Sequence, residues 1–287
     1  MKSKPLHEMD PNELRAHVEK WSLNANPKGV SVERVDDGAL IGEWQRPENS
    51  TGDGLILYLH GGGYVFGSPK THRPVSAALG RGAGRCVFSL DYRLAPENPV
   101  PAAVDDALAC YRALLEMGYD GASISLAGDS AGGGLALALT LAVKERGIAM
   151  PGSLVLFSPW TDLTVSGESI RSNEKTDAMF QAAHIIGGAK RVLGDCEPSA
   201  AFASPLFADH RGFPPTLIFA SDNEVLLDDS TRLYERMRAV GVDATLVVEN
   251  DLTHAWPIFV SWTPEAKAAV RRASSFIETQ ARMERGA

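Results

Sequence analysis

Three cysteines in 287 residues, scattered at Cys86, Cys110 and Cys196, are too few and too irregular for a disulfide framework. They lack zinc-ligand spacing as well. Their settings (a predicted strand, a predicted helix and a polar loop) read as reduced thiols of a cytoplasmic protein. No run of about 18 or more apolar residues occurs, so no transmembrane helix is expected. The opening MKSKPLHEMDPNELRAH is polar and has no signal-peptide core. Positive charge is in deficit: 28 Lys and Arg against 36 Asp and Glu leave a net charge of −8. That argues against a nucleic-acid partner or an anionic membrane surface. There is no internal repeat and no low-complexity tract. A phosphate-binding G-x-x-x-x-G-K-[ST] is missing, and the glycine cluster at Gly61–Tyr64 is not G-x-G-x-x-G, so nucleotide binding is not expected.

What is present is an ordinary globular composition, 44% apolar and 22% charged. It suits one large domain or one domain plus a small appendage. Six short apolar runs read as strands: Leu55–His60, Cys86–Tyr92, Ile124–Gly128, Leu154–Ser158, Leu217–Ala220 and Ala244–Glu249. Several are apolar on both faces, as strands covered on both sides must be. Helical patterns lie between them. Val100, Ala103, Val104, Ala107, Leu108, Tyr111, Leu114 and Leu115 form one stripe that stops at Gly118. Leu135–Val143 is apolar all round. Leu233, Tyr234, Met237 and Val240 form another stripe, stopped by Gly241, and Ala266 to Ile277 carries the last. Alternation of this kind predicts an α/β fold with a mostly parallel, doubly wound sheet, and reactive groups at the carboxyl ends of its strands. Two stretches break the pattern. Residues 1–30 and residues 161–215, the latter with a helical patch around 177–193, are expected to form cap elements. The catalytic domain would then comprise 31–160 and 216–287.

Gly128-Asp129-Ser130-Ala131-Gly132 matches G-x-S-x-G between a predicted strand and a predicted helix, the context this motif requires. A serine on such a sharp turn stands above the sheet beside the free N–H groups of a helix start. His60-Gly61-Gly62-Gly63 follows the first apolar strand. Glycines there allow backbone N–H groups to approach an oxyanion. Gly61 and Gly62 are the expected donors, with Ala131 as the third, and His60 is expected to shape the loop. Among seven histidines, His254 alone follows the last predicted strand. His7 and His17 lie in the N-terminal segment, His72 follows the glycine loop, and His184 and His210 fall in the insertion. The order Ser…acid…His therefore selects His254. Four carboxylates after Ala220 compete for the acid. Asp228 and Asp229 open a predicted helix and are explained as caps. Glu224 is favoured, with Asp222 as the alternative.

Six ordered motifs, HGGGYVFGS (His60–Ser68), DYRLAPE (Asp91–Glu97), GDSAGGGLA (Gly128–Ala136), SPWTDLT (Ser158–Thr164), EVLLDD (Glu224–Asp229) and THAW (Thr253–Trp256), resemble those of the hormone-sensitive-lipase-like (GDXG) family of α/β-hydrolase esterases. The sequence is closest in kind to the small bacterial esterase branch. The family's usual acid motif D-P-L-x-D is replaced here by E-V-L-L-D. Gly-Phe after the histidine is replaced by Ala255-Trp256, which bears on the pocket wall. The resemblance implies an α/β-hydrolase fold with a helical cap. It also implies hydrolysis of short- to medium-chain esters through an acyl-enzyme, with no metal and no organic cofactor. Tyr92, Arg93 and Glu97 would be structural, and Asp129 would fix the nucleophile turn. Lactone hydrolases and acetylhydrolases resemble this pattern too; non-catalytic hormone receptors on the same scaffold typically lose the histidine, which is present here as His254. Homodimers occur among relatives, and the sequence does not demonstrate one.

Overall fold

The computed structural model describes residues 9–21, 27–52 and 54–285. The first eight residues of the expected N-terminal cap, His7 among them, lie outside that range. Eight strands are described: β1 (Val30–Asp37), β2 (Leu40–Pro47), β3 (Leu55–Leu59), β4 (Cys86–Leu90), β5 (Ile124–Asp129), β6 (Ser153–Phe157), β7 (Thr216–Ser221) and β8 (Ala244–Glu249). They form one sheet in the order β1-β2-β4-β3-β5-β6-β7-β8. From β4 to β8 every pairing is parallel, with Leu57 of β3 flanked by Phe88 and Leu126. All six strands expected from the sequence are present.

The β1–β2 hairpin was not expected, and its sequence explains why. β1 is VSVERVDD and lies at the sheet's edge with only Val30 buried. An exposed edge strand needs no apolar run. Its signal is Gly38, the first residue of the two-residue turn Gly38-Ala39, with φ 59° and with Asp37 paired to Leu40.

The helices are α1 (Pro11–Trp21), α2 (Pro69–Ala83), α3 (Ala102–Glu116), α4 (Ala131–Glu145), α5 (Ser169–Ser172), α6 (Ala182–Leu193), α7 (Leu227–Ala239) and α8 (Pro264–Arg285). Successive strand residues feed opposite layers. Ile56 and Tyr58 pack with Val75 and Leu79 of α2 and with Ala273 and Ile277 of α8. Leu55, Leu57 and Leu59 pack with α3 and α4 on the other face. Each such side chain removed from water contributes about 1.5–3 kcal/mol, which is why these strands are apolar throughout. In α4 every residue from Ala131 to Val143 is buried, matching its all-round apolar sequence. α2 escaped the sequence reading because Pro74, Gly80 and Gly82 interrupt it. Its start is fixed by a capping box between Ser68 and Thr71.

Residues 161–215 hold α5, α6 and a short 3-10 turn at Pro205–Phe207. Leu163, Ile170, Ile185, Val192, Leu206 and Phe213 are buried in the same cluster as α3 and α4. One expectation needs correction here. Asp228 and Asp229 do not cap their own helix, whose N-cap Leu226 makes no side-chain bond. Asp229 Oδ2 instead accepts the N–H groups of Thr161 (2.6 Å) and Asp162 (2.9 Å), and Asp228 Oδ2 accepts that of Ser169 (2.9 Å). α7 packs against the start of the insertion, and the loop N–H groups there take the carboxylates.

Candidate active site

β5 ends at Asp129 and α4 begins at Ala131, so Ser130 alone makes the turn. It has φ 51° and ψ −121°. A non-glycine residue holds that conformation only where its surroundings over-determine it. The Ser130 N–H donates to Phe157 O (2.8 Å), and its carbonyl accepts from Trp160 N–H (2.9 Å). Gly132 leaves room for the turn: a Cβ there would collide with the carbonyls of Leu59 and His60.

Glu224 and His254 stand on the loops after β7 and β8, and both are buried. His254 Nδ1 donates to Glu224 Oε2 at 2.6 Å, while Glu224 Oε1 accepts Ser221 N–H at 3.0 Å. Asp222, the alternative acid, accepts Asp251 N–H at 2.9 Å. With its hydrogen bond fixed on Nδ1, a neutral imidazole carries its lone pair on Nε2. Nε2 is buried and has no hydrogen-bond partner among the described residues, so a bond to Ser130 Oγ is not formed. Contacts of this kind are commonly loose without substrate and tighten in the Michaelis complex. Burial alone would lower the His254 pKa. The hydrogen bond and charge of Glu224, with the charges of Asp177 and Asp129, outweigh it and hold the pKa above 6.5.

The loop after β6 ties the Ser130 turn to the His254 loop. Trp160 bonds to the Ser130 carbonyl, and Ser158 Oγ accepts Ala255 N–H at 3.0 Å. Ser158 sits at φ 47° and Ala255 at φ 49°. The sequence offered SPWTD only as a family motif, without this role.

The glycine loop differs from expectation at one position. Gly61 N–H donates to Asp129 Oδ1 at 3.1 Å, so it is not free to hold an oxyanion. Asp129 is buried and collects donors: Tyr58 OH at 2.7 Å and His72 Nε2 at 3.3 Å complete its shell. Burial opposes charge on both Asp129 and His72. Their mutual attraction outweighs it, holding the Asp129 pKa below its usual value and the His72 pKa above. Gly62 (φ 118°) and Gly63 (φ 59°) follow on backbone paths that suit glycine. Neither N–H has a partner among the described residues. Ala131 N–H lies at the first position of α4, where no intrahelical acceptor exists.

His60 shapes this loop. Its Nδ1 donates to Gly61 O (2.8 Å) and its ring stacks on Tyr92 with centroids 4.2 Å apart. Tyr92 OH in turn donates to His60 O at 2.7 Å. Burial and the neighbouring His72 lower the His60 pKa to about 3, so it stays neutral. Of the other candidates, His184 Nδ1 accepts Gln181 N–H (2.9 Å) and His210 Nε2 donates to Pro205 O (2.8 Å). Arg93 pairs with Asp106 of α3 (2.7 Å), and Glu97 pairs with Arg15 of α1 (2.7 Å). Arg15 Nε also donates to Val65 O (2.8 Å), so α1 braces the far end of the glycine loop.

With this geometry in view, comparison with known proteins is decisive. Residues 56–258 match the family described as the alpha/beta hydrolase fold. A crystal structure of an esterase from the bacterial hormone-sensitive lipase family superposes with a TM-score of 0.93 at 40% identity, covering 97% of this chain and 94% of that one. The chain belongs to the hormone-sensitive-lipase family of α/β-hydrolases. Among curated proteins, an acetyl-hydrolase of Streptomyces hygroscopicus is 40% identical over 275 residues, covering 95% of this chain and 90% of the relative. An esterase of Acinetobacter venetianus is 39% identical over 269 residues, covering 93% and 88%.

In this hydrolase the insertion reaches the site. A Cβ on Gly188 of α6 would stand 3.4 Å from the Trp160 ring, and a Cβ on Gly63 would stand 4.0 Å from the same ring. Phe180 meets His254 edge-on, with centroids 5.1 Å apart. Arg191 of α6 donates to Met9 O at 3.3 Å, joining the insertion to the N-terminal segment. Among the described residues no group of His, Cys, Asp or Glu is placed to hold a metal ion, and no helix is long and apolar enough to cross a membrane.

Proposed function

We propose that this α/β-hydrolase, a carboxylic ester hydrolase, cleaves short- to medium-chain esters with Ser130 as nucleophile, His254 as base and Glu224 as acid. The observation that carries the reading is the 2.6 Å bond from His254 Nδ1 to buried Glu224, which leaves Nε2 unpartnered. A buried polar atom without a partner costs free energy and persists where a reaction uses it. Nε2 takes the Ser130 proton as Oγ attacks the ester carbonyl. The N–H groups of Gly62, Gly63 and Ala131 hold the oxyanion, with Gly63 taking the place first given to Gly61. His254 then protonates the leaving alcohol, and water releases the acyl group by the same steps. Glu224 orients the imidazole and stabilises its cation without taking the proton.

Residues 1–30 and 161–215 act in this proposal as the cap that shapes the acyl and alcohol pockets. The contacts of Arg15 with Val65, of Gly188 with Trp160 and of Phe180 with His254 support it. The kinship with an acetyl-hydrolase favours a second reading on the same triad, in which acetyl is the preferred acyl group. β8 is one of the two outer strands of the sheet among the described residues, the other being β1, and an unpaired edge of this kind supports a homodimer. The three cysteines are free, which supports a reducing compartment such as the cytoplasm.

Hydrolysis of p-nitrophenyl acetate and butyrate tests the reading. The wild type is expected to turn both over, and Ser130→Ala is expected to lose more than about 10³-fold in kcat. Substantial turnover by Ser130→Ala would overturn the assignment.

A further inference from the structure

Asp177 lies in the insertion, between α5 and α6, and no motif of the sequence singles it out. Its Oδ2 accepts the N–H of Val225, the residue after Glu224, at 2.8 Å. Its Oδ1 accepts the N–H groups of Met179 (2.7 Å) and Phe180 (2.9 Å). Phe180 then lies edge-on against His254, with an interplanar angle of 73°. One carboxylate therefore holds both the chain beside the acid and the aromatic ring beside the base. Neighbouring residues grip the same loop. Asn173 Nδ2 donates to Asp222 O (2.8 Å) and Glu224 O (3.0 Å), and Thr176 Oγ1 donates to Asn223 O (3.2 Å).

We propose that Asp177 is a positioning residue of this active site: from the insertion, it fixes the Glu224 loop and Phe180 so that Glu224 and His254 meet in register. This rests on the reading of Ser130, His254 and Glu224 as an esterase triad. Glutamate reaches its partner through one more rotatable bond than aspartate does. Its carboxylate is therefore only as well placed as the backbone that carries it, and residues 222–225 are held by insertion side chains at each position. The charge matters too. Three carboxylates act on His254 through their charge: Glu224 from the loop after β7, which also bonds it, Asp177 from the insertion and Asp129 from the end of β5. A negative Asp177 favours the imidazolium that forms as Ser130 gives up its proton.

Asp177→Asn separates this role from a purely structural one. Its remaining oxygen can keep Met179 and Phe180, but its amide nitrogen then faces the Val225 N–H, donor against donor. The negative charge is lost as well. With p-nitrophenyl butyrate, and with sites counted by fluorophosphonate titration, kcat per active site is expected to fall by about ten- to a hundredfold with KM little changed. The acid limb of kcat/KM is expected to move to lower pH, because the imidazolium has lost a stabilising charge. Asp177→Glu restores charge without geometry: its acid limb is expected to stay at the wild-type pH while kcat remains low. If Asp177→Asn loses activity only in proportion to titratable sites, with the limb unmoved, Asp177 is merely structural and the proposal is overturned. That outcome differs from failure of the triad reading, in which the wild type is inactive or Ser130→Ala remains active.

Discussion

At Glu224 the difference between two neighbouring carboxylates comes down to which backbone and side-chain groups each one meets. Asp222 accepts Asp251 N–H and belongs to the turn; Glu224 is buried and accepts from His254. We expect Glu224→Gln to lower kcat by about 10²–10⁴-fold, because the amide can settle the imidazole in the wrong tautomer. Asp222→Asn is expected to change kcat by less than about tenfold. Steady-state kinetics on both variants checks this, and the reverse order would transfer the role to Asp222. In the wild type the acid limb of kcat/KM is expected above pH 6.5, since the His254 pKa is held above that value. The placement of Ser130 between β5 and α4 and of His254 after β8 was legible in the sequence because strand, turn and helix signals surround them locally. Gly61 was misread because its N–H partner, Asp129, lies 68 residues away. Asp177 was invisible for the same reason: its meaning depends on Val225, 48 residues further on.

Among the elements, those buried on both faces announced themselves; of the two edge strands, β8 kept an apolar run and β1 did not. β3 and β5 to β7 are buried along their whole length, so their apolar runs were unmistakable. β1 is mostly exposed, and α2 carries helix-breaking residues that its packing against α8 overrides. Asp229 shows how a local rule gives way to a tertiary one, since an acid in a helix's first turn here caps another segment. Removing it as Asp229→Ala would strand the buried N–H groups of Thr161 and Asp162. We expect a loss of about 2–4 kcal/mol, seen as a Tm lower by roughly 5–10 °C. An unchanged Tm would mean that this anchor does not hold the insertion.

For the whole molecule, the sheet with its two layers accounts for most of the described chain, and the described parts of the surplus length converge on the candidate active site. α1 braces the glycine loop through Arg15, and the insertion supplies Gly188, Phe180 and Asp177 around Trp160, His254 and the Glu224 loop. Net charge has little part in the proposed chemistry, which would rest on backbone N–H groups, one histidine and its acid. The central claim is that this assembly activates one serine among many. Labelling with a fluorophosphonate, followed by intact-mass and peptide mapping, tests it most directly. The account predicts one adduct per chain, on Ser130, absent from Ser130→Ala and slow to form in Glu224→Gln. No adduct on the folded wild type, or an adduct on another residue, would contradict it.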